Sequence, residues 1–163
     1  MNKTNSNPAS TPTTAIKSST GARAVEQLLE KYAESHQNPT NEYIHFVCVP
    51  VIVWTVLGLL WAIHPMISIG ATLLALVYYI SLSVPFAIGM SLMSVLMLSI
   101  LYLLPSGWVL PSALGIFVLA WIGQFIGHKI EGKKPSFFDD LRFLLIGPLF
   151  VLGFLYRRFN IGY

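Results

Sequence analysis

The sequence has few charged residues, and its central half has none. Charged types make up 10% of the 163 residues, against about 25% of a typical soluble domain. None of the seven acids and ten bases lies between Phe46 and Gly127, a stretch of 82 residues. This distribution excludes an ordinary soluble enzyme. It also excludes a nucleic-acid-binding protein, because the bases flank apolar segments instead of forming one basic surface.

Cysteine is almost absent, and the common catalytic motifs are missing. The single cysteine, Cys48, cannot form an internal disulfide, which excludes a disulfide-stabilised scaffold. The sequence contains no GxSxG, P-loop, CxxC or HExxH motif. Its four histidines are too few for the histidine boxes of a membrane di-iron desaturase. An ion channel or transporter would be expected to place polar or charged groups at mid-membrane.

Four apolar spans occupy the central stretch. A membrane crossing needs about 20 predominantly apolar residues. The turn signals His64-Pro65 and Pro105-Ser106-Gly107 separate spans of suitable length, and Pro85 lies near the start of another. The spans cover about residues 43–63, 66–82, 85–104 and 108–127. We therefore predict an all-α, multi-pass membrane helix bundle with about four transmembrane helices.

The segments before the spans differ in character. Residues 1–22 are rich in Ser, Thr, Asn and Pro and predict a disordered tail. Residues 23–36 carry apolar side chains at the helical spacing i, i+3, i+4, i+7. This pattern predicts an amphipathic helix that lies on the membrane surface or caps the bundle, although a short solvated helix fits as well. We predict that residues 23–163 form a single membrane-embedded domain.

The segment after the spans is shorter than a membrane crossing usually requires. Residues 143–156 are apolar, but they number only 14 and contain Gly147-Pro148. They fit an interfacial or re-entrant segment better than a crossing. With four crossings, all ten Lys and Arg residues fall on one side of the membrane. The positive-inside rule then places both termini in the cytoplasm, in a bacterial inner membrane or the endoplasmic reticulum.

Three of the four histidines are predicted to share the cytoplasmic end. His36 ends the first helix, His45 lies in the first turns of the first span, and His128 follows the fourth span. His64 lies at the opposite end. On one continuous helix His36 and His45 would face opposite ways, about 13 Å apart along the axis. The break at Asn38-Pro39 folds the chain back and makes a shared site feasible.

Three histidines at one end suggest a metal site. Glu131 lies three residues after His128, so both side chains share a face if the helix continues. Imidazoles with a carboxylate suit Fe(II), Zn(II) and similar metals. Supporting polar residues near them are Asn38, Asn41 and Gln124. The alternative is that each histidine merely contacts lipid headgroups, as a single interfacial histidine commonly does.

Two motifs resemble a known family. Residues 32–50 have the form Y-x3-H-x-N-P-x-N-x3-H-x4-P, and residues 121–135 have the form W-x2-Q-F-x-G-H-x2-E-x3-P. Together they resemble the DUF962 family, to which the yeast 2-hydroxypalmitic acid dioxygenase belongs. The resemblance covers roughly residues 24–156. It implies an Fe(II)-dependent dioxygenase that uses O2 to shorten a 2-hydroxy fatty acid by one carbon, an α-oxidation step.

The resemblance also implies roles for individual residues. The catalytic iron ligands would be His36, His45 and His128. Glu131 is a further candidate metal ligand because of its spacing from His128, not because of the resemblance. Lys129 and Lys133 could steer the substrate carboxylate, although positive charges flanking a membrane span need no such role. The implied partners are the 2-hydroxy fatty acid, O2 and membrane lipid, without nucleic acid, and a homo-oligomer is compatible with the sequence. The competing hypotheses are a non-catalytic lipid- or partner-binding membrane protein, with a structural metal or none, and a small transporter.

Overall fold

The computed structural model describes residues 20–34, 36–132 and 144–163, and the regular structure within these ranges is helical throughout. The all-α prediction is therefore confirmed. The predicted disordered tail lies outside the described residues, except for residues 20–22, which belong to the first helix. The helices are α1 (Thr20–Ala33), α2 (Pro39–Ile63), α3 (Pro65–Leu82), α4 (Val84–Leu103), α5 (Ser106–Glu131) and α6 (Ile146–Arg158).

Helices α2 to α5 are each long and apolar enough to cross a membrane, as the sequence predicted. Many of their large apolar side chains face outward; Leu74 is 75% exposed and Leu103 is 79% exposed. So much exposed apolar surface suits contact with lipid and not with water. The chain is a multi-pass membrane protein of four spans.

The helix ends extend beyond the apolar spans. Helix α2 begins at Pro39 because the Asn38 side chain accepts a hydrogen bond from the Thr40 amide and caps the helix. Helix α5 continues to Glu131 and ends at Gly132, which adopts the left-handed conformation. His128 and Glu131 therefore lie on one helix, one turn apart.

Helices α2 and α5 form the most extensive contact in the bundle. Small residues permit this approach, as is usual between membrane helices. A Cβ atom added to Gly58 would lie 2.9 Å from the Cβ of Ala113, and one added to Gly123 would lie 2.7 Å from Cys48 Sγ. The Gly123–Cys48 contact lies near the ends of the two helices that carry His45 and His128, and the Gly58–Ala113 contact lies toward the opposite ends.

Helices α1 and α6 pack together and cover one end of the bundle. Their apolar side chains share a core with the adjoining ends of α3 and α4. The hydroxyl of Tyr79 in α3 donates to the carbonyl of Leu145, just before α6. The hydroxyl of Tyr156 in α6 donates to the carbonyl of Pro85 in α4. The predicted amphipathic helix thus caps the bundle, and the 13-residue α6 is shorter than the roughly 20 residues that a crossing needs.

Candidate metal centre

Three segments bring the histidines of the two motifs to one place under the cap. His36 lies in the connection between α1 and α2, His45 in the second turn of α2, and His128 near the end of α5. Each offers a ring nitrogen, and the three nitrogens lie within 4.8 Å of one another. The three residues are only 7%, 3% and 5% exposed, respectively. The site is therefore a buried, nitrogen-rich cluster, and we call it the histidine cluster.

Hydrogen bonds fix the orientation of two of these rings. His36 Nδ1 lies 2.8 Å from the carbonyl oxygen of Tyr32, and His45 Nδ1 lies 2.9 Å from that of Asn41. A carbonyl oxygen can only accept, so Nδ1 carries the proton in the neutral ring and Nε2 keeps the lone pair. Metal-binding histidines in proteins commonly have this second hydrogen bond.

The donor set of the histidine cluster fits a divalent metal of intermediate softness. Neutral imidazoles suit iron, zinc, copper and nickel. Nitrogens bound to one metal at about 2.1 Å in tetrahedral geometry lie about 3.4 Å apart. The nitrogens of the cluster, all within 4.8 Å, would need to close by about 1.4 Å at most. Three imidazoles leave further coordination positions for a substrate.

His64 lies far from this cluster, as the sequence predicted. It follows the last residue of α2, 19 positions after His45, which corresponds to about 28 Å along a helix. Its Nδ1 accepts a hydrogen bond from the Met66 amide and caps α3. His64 is exposed and has a structural role at the opposite end of the bundle.

Comparison with known proteins assigns the family. The family model described as "2-hydroxy-palmitic acid dioxygenase Mpo1-like" matches residues 22–159. The "2-hydroxy-palmitic acid dioxygenase MPO1" of Saccharomyces cerevisiae is 30% identical over 133 residues, covering 77% of this chain and 76% of the yeast protein. The chain belongs to the Mpo1-like family. No solved structure matches it. The family that the two motifs predicted is thus confirmed.

In this Mpo1-like chain the Glu131 carboxylate forms hydrogen bonds at the start of α2. It was predicted as a metal ligand, but it is not one of the grouped ligand atoms. It accepts hydrogen bonds from the amides of Gln37 and Asn38 and from the side chain of Asn41. Asn38 and Asn41, predicted as supporting residues, therefore lie directly beside the cluster and bind Glu131.

A small cavity adjoins the histidine cluster. Its volume is about 40 Å³, and its polar lining comes from His45, Gln124 and Tyr32. Gln124, predicted as a supporting residue, is buried and lines the cavity together with His45. The remaining wall is apolar and consists of Val49, Ile52, Trp121, Leu144 and Gly147. The cavity of the Mpo1-like chain thus has His45 of the histidine cluster on one part of its wall and apolar side chains on most of the rest.

The two lysines predicted to steer a carboxylate are placed differently. Lys129 is exposed, on the opposite side of the helix from the buried face that carries His128. Lys133 lies outside the described residues. In the described part of the chain no contact joins Lys129 to the histidine cluster, and the role of Lys133 stays a prediction.

Two residues of the site were not predicted. The Tyr32 ring stacks on His36 with centroids 4.2 Å apart and planes 8° apart. The i, i+4 spacing of these residues was the available signal. The second residue is Gly127. A Cβ atom there would meet Asn41 Oδ1 and lie 3.4 Å from His45 Cε1. This glycine allows α5 of the Mpo1-like chain to approach α2 at the cluster.

Proposed function

We propose that this protein is an Fe(II)-dependent dioxygenase that shortens 2-hydroxy fatty acids by one carbon. One observation carries the proposal: three buried histidines with clustered ring nitrogens adjoin a mainly apolar cavity at one end of a membrane helix bundle. The name of the yeast relative supports the substrate class, since that protein is a 2-hydroxy-palmitic acid dioxygenase. His36, His45 and His128 are the proposed iron ligands.

The proposed reaction balances with O2 as the only co-substrate. It converts R–CH(OH)–COOH and O2 into R–COOH, CO2 and H2O. The bond between the carboxyl carbon and C2 breaks, and C2 becomes the new carboxyl carbon. Non-haem iron supplies the O2 chemistry that amino-acid side chains lack. No external reductant is needed, so the protein requires no flavin or nicotinamide site.

Different residues around the cluster would bind the polar and the apolar ends of the substrate. The polar end of the cavity, with His45 and Gln124, suits the carboxylate and hydroxyl of the acid. Val49 and Ile52 lie four and seven residues along α2 from His45, so the apolar wall descends into the bundle. The first carbons of the alkyl chain would lie along this wall. Burial under α1 and α6 keeps bulk water from the reacting carbon.

The proposed location is an integral membrane with both termini in the cytoplasm. The segment between residues 43 and 128 carries no Lys or Arg, and all ten such residues come before or after it in the sequence. With four crossings, both flanking segments would lie on the side of the histidine cluster, which the positive-inside rule assigns to the cytoplasm. An amphiphilic acid can reach such a site from the cytoplasmic leaflet, with its head at the cluster and its tail among lipid chains.

The proposal is tested by an activity assay on the detergent-purified chain loaded anaerobically with Fe(II). With 2-hydroxypalmitate and air, we expect pentadecanoate to form with consumption of one O2 per acid. Palmitate and 3-hydroxypalmitate serve as controls and should remain unchanged. If the iron-loaded protein leaves 2-hydroxypalmitate intact, or produces pentadecanoate under argon, the proposed reaction is wrong. Binding of the acid without turnover would instead favour a non-catalytic lipid-binding protein.

A further inference from the structure

One carboxylate connects all three segments that carry the clustered histidines. Glu131 Oε1 accepts the Gln37 N–H at 3.0 Å, and Oε2 accepts the Asn38 N–H at 2.9 Å and Asn41 Nδ2 at 3.0 Å. These partners lie 94, 93 and 90 residues away in the sequence. We call this set of three hydrogen bonds the Glu131 clamp.

The residues of the Glu131 clamp are each close to a proposed metal ligand, either in the sequence or through one hydrogen bond. Gln37 follows His36 directly in the chain. Asn41 accepts the Nδ1–H of His45 through its carbonyl oxygen and donates to Glu131 through its side chain. Glu131 itself lies one helical turn after His128 in α5. The clamp therefore joins the connection before α2, the first turn of α2 and the end of α5.

The Glu131 clamp also completes the N-terminus of α2. In a capping box, a Glu at the third helical position accepts the amide of the N-cap residue in its own helix. In α2 that position is Asn41, and the carboxylate comes from α5 instead. Hydrogen bonds from amides to a carboxylate are charge-assisted, and a negative charge at a helix N-terminus is favourable. The clamp should therefore resist displacement.

We propose that Glu131 is the positioning residue of the histidine cluster and not a metal ligand. By holding the Asn38–Asn41 turn against α5, its carboxylate sets the distances among the three imidazoles. The proposal rests on the proposed metal centre and adds the means by which three separate segments keep one geometry. All three groups that donate to the carboxylate lie at or just before the start of α2. Glu131 would therefore act on the metal site indirectly, through the positions of His36 and His45.

Cobalt binding tests this role without any need for activity. The purified chain is titrated anaerobically with Co²⁺, and the visible ligand-field spectrum gives both affinity and coordination. For Glu131→Gln we expect a 10- to 100-fold weaker affinity, the range typical of residues that support metal ligands. At saturation its spectrum should equal that of the unmodified protein, because the three imidazoles remain. Glu42→Gln removes the same charge from the first turns of α2 and should leave the affinity unchanged.

A second variant keeps the test decisive if Glu131→Gln fails to fold. Asn41→Ala removes one of the three bonds and should weaken Co²⁺ binding severalfold with an unchanged saturated spectrum. An affinity equal to that of the unmodified chain in the folded variants would overturn the positioning role. A changed saturated spectrum in Glu131→Gln would show that Glu131 is a ligand. If the unmodified chain binds no Co²⁺, the proposed metal centre itself fails, which is a separate result.

Discussion

The imidazole rings of His36 and His45 lie 4.2 Å apart, centroid to centroid, although nine positions separate the residues. On one continuous helix they would lie on opposite faces and about 13 Å apart along the axis. The chain avoids this because α1 ends at Ala33 and α2 begins only at Pro39. The histidine cluster thus depends on a break in the helix as much as on the histidines themselves.

Gly127 allows α5 to approach α2 at the histidine cluster, so a methyl group there should disturb the site. A Cβ atom at this position would meet the side chains of Asn41 and His45. We expect Gly127→Ala to destabilise the protein by about 1–3 kcal/mol, as overpacking does, and to weaken Co²⁺ binding. Thermal unfolding in detergent and a Co²⁺ titration measure the two effects.

Gly115→Ala provides the matched control for this prediction. Gly115 lies in the same helix, and a Cβ atom there would meet nothing within 4 Å. Because Ala favours helix over Gly by roughly 0.5–1 kcal/mol, stability should stay equal or rise slightly, with Co²⁺ affinity unchanged. Equal effects of the two substitutions would contradict the close-approach explanation.

Val49 lines the cavity beside His45, so a larger side chain there should hinder the substrate and spare the metal. The residue is 8% exposed and faces a cavity of about 40 Å³. We expect Val49→Phe to lower kcat/KM for 2-hydroxypalmitate at least tenfold, with iron content close to one per chain. Steady-state kinetics and metal analysis of the same preparation separate the two quantities.

Val47→Phe makes the same change on the outer face of α2, where Val47 is 66% exposed. It should leave both kcat/KM and iron content unaltered. A normal kcat/KM for Val49→Phe would show that the alkyl chain takes another route.

The proposed topology can be checked with cysteine labelling in a Cys48→Ala background. Gly107 lies in the first turn of α5, on the side without Lys or Arg, and Gly162 lies after α6. We expect Gly107→Cys to react with a membrane-impermeant maleimide in intact cells. Gly162→Cys should react only after the membrane is permeabilised. The reverse pattern would place the histidine cluster on the outer side.

The helices were largely predictable from the sequence, and their ends were not. The apolar spans locate α2 to α5 because lipid contact requires continuous apolar surface. The polar turns at their ends depend on specific partners. Helix α2 starts four residues before its predicted span because Asn38 caps it, and α5 extends four residues beyond its span because Glu131 binds the start of α2. Such contacts between distant segments leave no local pattern.

The candidate site was likewise predictable from the sequence only in part. The proximity of the three histidines followed from the topology and from the break at Asn38-Pro39. The hydrogen-bond partners of the Glu131 carboxylate could not be predicted in this way. The spacing from His128 predicts only that the two side chains share a helix face. The cavity also escaped prediction, since Leu144 and Gly147 reach it only through the packing of α6 against α1 and α2.

The central claim is that His36, His45 and His128 hold one metal ion and that His64 does not. Its most direct test is the iron content of anaerobically loaded single variants, measured by elemental analysis after removal of unbound metal. We expect about one iron per chain in the unmodified protein, and a strong loss on replacing any one of the three by Ala. His64→Asn preserves a capping acceptor for α3 and should retain full iron, as should His64→Ala. Loss of iron from either His64 variant, or full occupancy in any of the other three, would contradict the account.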